Sequence, residues 1–193
     1  MLSSKRIIHL NLLFLVSFAA VALAAWVGWR SNPAYPQREE EALTQFSQSF
    51  GGVDFDGKEL TPADLQGHAL TVVNIWATDC GPCIREMTDL AALAQEYAAQ
   101  DVQFLGLCGG SLGGKMDAET LAEAQSILNE CGVSYRNLFP SDTFRTEYLR
   151  EYVSSVPSTF FVNADGVCIG RLSGAQDADA WRKTLDSYLE KEA

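Results

Sequence analysis

Histidine is nearly missing from this chain, with only His9 and His68 among 193 residues. That scarcity removes most zinc chemistry. A tetrahedral site needs four ligands at workable spacing, and three of the five cysteines (Cys108, Cys131 and Cys168) stand alone. Basic side chains are also few, 14 Lys and Arg against 25 Asp and Glu, for a net charge of -11. A nucleic-acid partner is excluded, because phosphate binding needs a basic patch. The same imbalance disfavours adhesion to an anionic membrane surface. No cysteine precedes Cys80, which excludes a lipid-modified cysteine behind the N-terminal run. Internal repeats are absent, and the glycine-rich stretch Gly109–Gly114 lacks the spacing of a phosphate-binding fingerprint. What is present is 47% hydrophobic residues, enough for a packed core in one ordinary domain with a short appendage.

The appendage is N-terminal. Lys5 and Arg6 precede an apolar run from Ile7 to Trp29, interrupted only by His9, Asn11 and Ser17. A run of about 20 apolar residues suffices to span a bilayer. The positive charges ahead of it place the N-terminus in the cytoplasm and the rest outside. Residues 1–30 are therefore expected as an uncleaved signal anchor, a single transmembrane helix. The competing reading is a cleaved leader with Ala22-Leu23-Ala24 as its site, giving a secreted or periplasmic product. The run stays apolar beyond Ala24, which favours the anchor. Residues 31–45, with Asn32-Pro33, Tyr35-Pro36 and the run Glu39-Glu40-Glu41, are expected as a linker that buries nothing.

From 46 to 193 strand and helix patterns alternate. A hairpin around Val53 to Leu60 leads into an apolar run, Leu70 to Trp76, read as a core strand. Helical spacing of Met87, Leu90, Leu93, Ala94 and Tyr97 predicts a helix from Gly81 to about Ala99. Val102–Cys108 reads as a second buried strand, Asp117–Glu130 as a helix, Tyr135–Phe139 as extended, and Ser141–Tyr152 as a short helix. Thr159–Val162 and Val167–Leu172 alternate about Asn163-Ala164-Asp165-Gly166 as a hairpin. A helix from Asp177 to Glu190, buried through Trp181, Leu185, Tyr188 and Leu189, closes the chain. This order describes an α/β sandwich, a central mixed sheet flanked by helices.

The chemistry is concentrated in Trp76-Ala77-Thr78-Asp79-Cys80-Gly81-Pro82-Cys83. Gly81 and Pro82 suit a helix start, since proline in a first turn forfeits an N–H that had no intrahelical partner. Cys80 then sits where N–H groups point outward and the helix dipole is positive, an environment that stabilises the attacking thiolate. Cys83, one turn on, is placed to resolve the mixed disulfide. A permanent staple is a poor alternative, because a bridge closing so short a loop removes little chain entropy.

Trp76 to Cys83 resembles the W-A-x-x-C-G-P-C centre of the thioredoxin superfamily, and the flanking residues resemble its membrane-tethered TlpA/ResA branch. The likeness rests on Phe50–Leu65 with Asp56-Gly57-Lys58, on Asn74 where thioredoxin has a buried acid, and on Val156-Pro157-Ser158-Thr159-Phe160-Phe161-Val162 followed by Asp165-Gly166. It implies a thioredoxin-like fold and a redox-active Cys80–Cys83 disulfide, with no other cofactor and no metal. It implies a cis Pro157 facing the cysteines, with Val156 lining the substrate groove. It implies Glu86 as a group that tunes thiol titration, against the plainer reading of a first-turn acid complementing the helix dipole. Trp76 reads either as a cover for the pair or as a core tryptophan. Asp79 departs from the pattern, which has tryptophan there, and a carboxylate beside Cys80 opposes the thiolate unless solvent screens it.

The reading that follows is an extracytoplasmic thiol–disulfide oxidoreductase, a protein disulfide reductase with nucleophile Cys80 and resolving Cys83. The Gly-Pro pair is that of reducing thioredoxins. The resemblance implies exported protein thiols and disulfides as substrates, cytochrome c maturation among the settings, and a membrane thiol carrier of the DsbD or CcdA kind as electron donor. Alternatives are an oxidase or isomerase on the same fold, or a copper-handling binding module, for which His68 is badly placed. Cys131 is expected at the far end of the sheet from Cys108; a Cys131–Cys168 bridge stays geometrically open.

Overall fold

The computed structural model describes residues 34–109 and 117–192. The expected anchor at 1–30 lies outside the described residues; among them no helix is long and apolar enough to cross a membrane. The chain divides into two compact units, Met1–Glu41 and Ala42–Ala193, and the second carries the sheet.

Helix α1 (Ala34–Ser49) corrects the reading of 31–45 as a linker that buries nothing. Ala42, Phe46 and Phe50 recur four residues apart and are all buried. The acidic run just before them disguised this stripe. Pro36 falls in the first turn, where no intrahelical N–H bond is lost.

Strands β1 (Gly52–Asp54) and β2 (Glu59–Leu60) form the expected antiparallel hairpin. After a 3-10 turn at Pro62–Leu65 comes β3 (Leu70–Trp76), buried at every residue. Then follow α2 (Gly81–Glu96), β4 (Val102–Cys108), α3 (Ala118–Glu130) and β5 (Arg136–Pro140). A π-helical turn at Phe144–Leu149 runs into α4 (Arg150–Tyr152), followed by β6 (Ser158–Asn163), β7 (Cys168–Ser173) and α5 (Ala178–Glu192). The sheet order is β2-β1-β5-β4-β3-β6-β7. β3, β4 and β5 are parallel, whereas β1 and β6 run antiparallel to their neighbours. Helices cover both faces of β3, which is why it reads as an unbroken apolar run rather than an alternating one.

Alternation along β3 divides the core. Val73 and Ile75 face α1 and the 144–153 segment, together with Phe46, Phe144, Tyr148 and Phe160. Leu70 and Val72 face α2 and α5 through Leu90, Leu93, Trp181 and Leu185. On the first face Phe46 stacks on Phe160 at 4.2 Å between ring centroids, and the Tyr148 hydroxyl donates to the Ala42 carbonyl at 2.9 Å. The Ala42–Ser49 part of helix α1 is thus part of the core. Truncating Phe46→Ala should cost about 3–5 kcal/mol, as for other buried phenylalanines. Urea unfolding monitored by circular dichroism checks this, and a loss under 1 kcal/mol would return α1 to the status of an appendage.

Candidate redox site

Strand β3 ends at Trp76 and the chain turns within four residues into α2, so the helix begins at the rim of the sheet. Cys80 caps that helix: its Sγ accepts the Cys83 backbone N–H at 3.2 Å. Pro82 occupies the first turn, as the spacing predicts. Cys80 and Cys83 form a disulfide with an S–S distance of 2.06 Å. Cys80 is 9% exposed and Cys83 only 1%. Cys80 is therefore the sulfur a second molecule can reach. A thiolate there would keep the Cys83 N–H and gain the positive end of the helix. Asp79 is exposed, so solvent screens its opposing field.

Beneath the pair a row containing three polar side chains crosses the sheet. Register aligns Thr159 with Asn74, Asn74 with Gly106, and Gly106 with Asn137. The Asn74 amide donates to Thr159 Oγ1 at 3.0 Å and to Glu86 Oε1 at 3.1 Å. Glu86, 3% exposed, also accepts the Gln176 backbone N–H on Oε2 at 3.1 Å. Burial raises the Glu86 carboxyl above its ordinary value of 4.5, against the pull of the hydrogen bonds from Gln176 and Asn74. The Trp181 indole N–H draws on the same carboxylate without reaching hydrogen-bond geometry. A hydrogen-bonded carboxyl of raised pKa one turn from Cys83 is equipped to hold or release a proton there.

The other end of the row serves Trp76, whose indole N–H donates to Asn137 Oδ1 at 3.0 Å. A Cβ at Gly106 would overlap that carboxamide, so the close approach requires glycine. Trp76 is fully buried and packs with Cys80, Cys83, Met87 and Cys108. Val156, half-buried, packs on the same cluster, and the Val156–Pro157 bond is cis. The structure thus brings Trp76, Cys80, Cys83, Val156 and Pro157 to one rim with Glu86 below. Gly106, Asn137, Thr159 and Gln176 were not legible beforehand. A lone amide or glycine in a strand carries no signal until register sets it beside its partner.

One expectation about the remaining cysteines is corrected, and one open possibility is closed. Cys131 does not lie at the far end of the sheet: its Sγ approaches the Ile84 carbonyl at 3.7 Å, and it packs on the cluster that holds Cys108. The reason is that β5 joins the sheet only at Leu105, well up β4, so the chain leaving α3 need not descend. Cys168 belongs to the cluster under α1, across the sheet from Cys131, so no bridge joins them. Cys108, Cys131 and Cys168 are thiols. His68 pairs with Asp101 at 2.8 Å where β3 and β4 begin, remote from the dithiol at their ends.

Two outcomes follow from this geometry. Between 4.5 and the raised value of Glu86, the native state binds more protons than the unfolded chain. Stability should therefore fall as pH rises through that window and stay level above it. Glu86→Gln should flatten this segment of a urea-midpoint profile, and an unaltered slope would mean the carboxyl does not titrate there. Gly106→Ala should cost about 1–3 kcal/mol by crowding Asn137. A double-mutant cycle with Asn137→Ala should recover most of that loss; purely additive losses would place the clash elsewhere.

Comparison with known proteins agrees with this geometry. The model of the Redoxin family matches residues 41–187. The chain is 31% identical over 129 residues to the thiol:disulfide interchange protein HelX of Rhodobacter capsulatus, covering 67% of this chain and 66% of that one. It is 22% identical to the thiol-disulfide oxidoreductase ResA of Bacillus thuringiensis, over 98% of each chain. Among solved structures, a secreted Mycobacterium tuberculosis disulfide oxidoreductase superposes with a TM-score of 0.57 at 22% identity, covering 75% of this chain and 97% of that one. With its own Cys80–Cys83 disulfide as the redox group, the chain belongs to the Redoxin family and is a ResA-like thiol–disulfide oxidoreductase of the thioredoxin superfamily.

Proposed function

We propose that this protein is an extracytoplasmic protein disulfide reductase, held at the membrane by residues 1–30 and recharged by a membrane thiol carrier of the DsbD or CcdA kind. The observation that carries the reading is the Cys80 sulfur at the tip of α2, with the Cys83 N–H on it and the Glu86 carboxyl below. The Gly-Pro spacer supports the reducing direction. Lys5 and Arg6 ahead of the apolar run support export of the domain.

In the reduced protein the Cys80 thiolate attacks one sulfur of a client disulfide. That S–S bond breaks, and the departing client thiolate takes a proton. Cys83 then loses its proton to Glu86, one turn further along α2, and attacks Cys80 Sγ in the mixed disulfide. The second client thiol leaves, two electrons have passed to the client, and the Cys80–Cys83 disulfide remains. Restoring the dithiol takes two electrons and two protons from the carrier. Val156 and Pro157 line the groove, where the backbone before the proline pairs with the client chain in β-fashion. Trp76 covers the pair from below.

The equilibrium potential of the couple, measured against dithiothreitol, decides direction. A value near about −270 mV fits a reductase, and one near about −120 mV would make the protein an oxidant. Cys83→Ala should accumulate mixed disulfides with exported proteins, and Cys80→Ser should abolish them. Equal trapping by both would remove Cys80 as the nucleophile.

A further inference from the structure

A cavity of about 410 Å3 lies between the β1–β2 turn, α3 and the start of β5, and the exchange chemistry above leaves it unused. Its volume falls in the range of small-ligand sites. Three observations tie it to the disulfide. Phe55, Leu128 and Val133 line it and also pack in the cluster with Trp76, Cys80 and Cys83. Asn137 forms part of its wall and holds the Trp76 indole N–H at 3.0 Å. Sheet order puts β6, with Val156 and Pro157 just before it, on one side of β3, and β4 and β5 on the other. The cavity therefore lies on the β4–β5 side of β3, away from the cis-proline loop.

The lining selects the chemistry of an occupant. Arg136 is its one cation; its Nε faces Asp54 Oδ2 at 3.4 Å, leaving the two Nη groups available. Asp54 is buried and already matched, accepting the backbone N–H groups of Asp56 and Lys58 as well. Asp54 is answered by Arg136 and the backbone donors, and Asp56 is exposed, where solvent screens it, so the lining holds no unmatched buried charge for an ionic occupant. Gln125, Asn129 and Arg136 offer donors and acceptors together. The complement is an uncharged group that both donates and accepts.

We propose that this cavity is a client subsite, receiving an Asn or Gln side chain that an extended polypeptide presents near its reactive cysteine. The proposal rests on the exchange reading above and adds a second point of client recognition, opposite Val156. A client held at both points would be registered across Cys80 and could not slide along the groove.

The test uses the reduced protein and synthetic single-cysteine peptides carried as mixed disulfides with glutathione. Gln, Glu, Lys or Leu is placed at successive positions on either side of the cysteine. Each exchange rate is divided by the rate of the same protein with bis(2-hydroxyethyl) disulfide, which has no side chain to place in the cavity. At one position Gln should react roughly five- to tenfold faster than Leu, Lys or Glu, the scale of one net hydrogen bond. Asn129→Leu, on the exposed face of α3, and Arg136→Gln should each bring that ratio towards one. A ratio near one in the wild type, a preference for Lys or Glu, or discrimination that survives both variants would overturn the subsite while leaving the exchange reading intact. Failure of the wild type to reduce bis(2-hydroxyethyl) disulfide would instead sink the exchange reading, and this proposal with it.

Discussion

The arrangement depends on one junction: a helix that begins where the central strand ends. Because α2 starts four residues after β3, its unpaired N–H groups face outward at the sheet rim. Cys80 meets them first, and the sulfur takes the N–H of Cys83. Every other feature of the site positions something relative to that sulfur. The second cysteine lies one turn deeper, the cis-proline loop lies on the neighbouring strand, and the tryptophan that ends β3 closes the space beneath. If the helix began elsewhere, the same residues would have no shared target.

Polar groups buried below the junction would be costly without partners, and nearly all have them. Asn74 is the hub, since one amide reaches both Thr159 and Glu86. An amide at that position cannot itself ionise, so Glu86 is the ionisable member of this pair. The carboxyl is shielded enough for burial to raise its pKa, yet hydrogen-bonded enough to stay in place. On the far side of the row, Asn137 repeats the arrangement for Trp76, and Gly106 leaves room for it. Among the described residues, the buried side-chain donors left without partners are Gln176 Nε2 and Trp181 Nε1. Trp181 lies beside the Glu86 carboxylate, and Gln176 holds that carboxylate through its backbone.

The same logic explains where local reading failed. Residues 31–45 resemble a linker because acidic residues and prolines dominate a short window. The buried stripe of Ala42, Phe46 and Phe50 emerges only when the window extends past Gln45. Cys131 reads as distant because it ends a helix whereas Cys108 ends a strand, but β5 joins partway up β4. Both errors concern how far an element reaches, which depends on its packing partners and not on its own residues.

Local chemistry along the chain was sufficient to determine the dithiol and the main strands and helices from β1 onward. Apolar runs, helical spacing and Gly-Pro between two cysteines are short-range signals, and a helix start at Cys80 needs nothing beyond its neighbours. Tertiary structure alone decided the buried network and the cavity beside it. Thr159, Asn74, Gly106 and Asn137 are scattered over 86 positions and become one row only through strand register. Register is a property of paired strands, so no segment carries it alone.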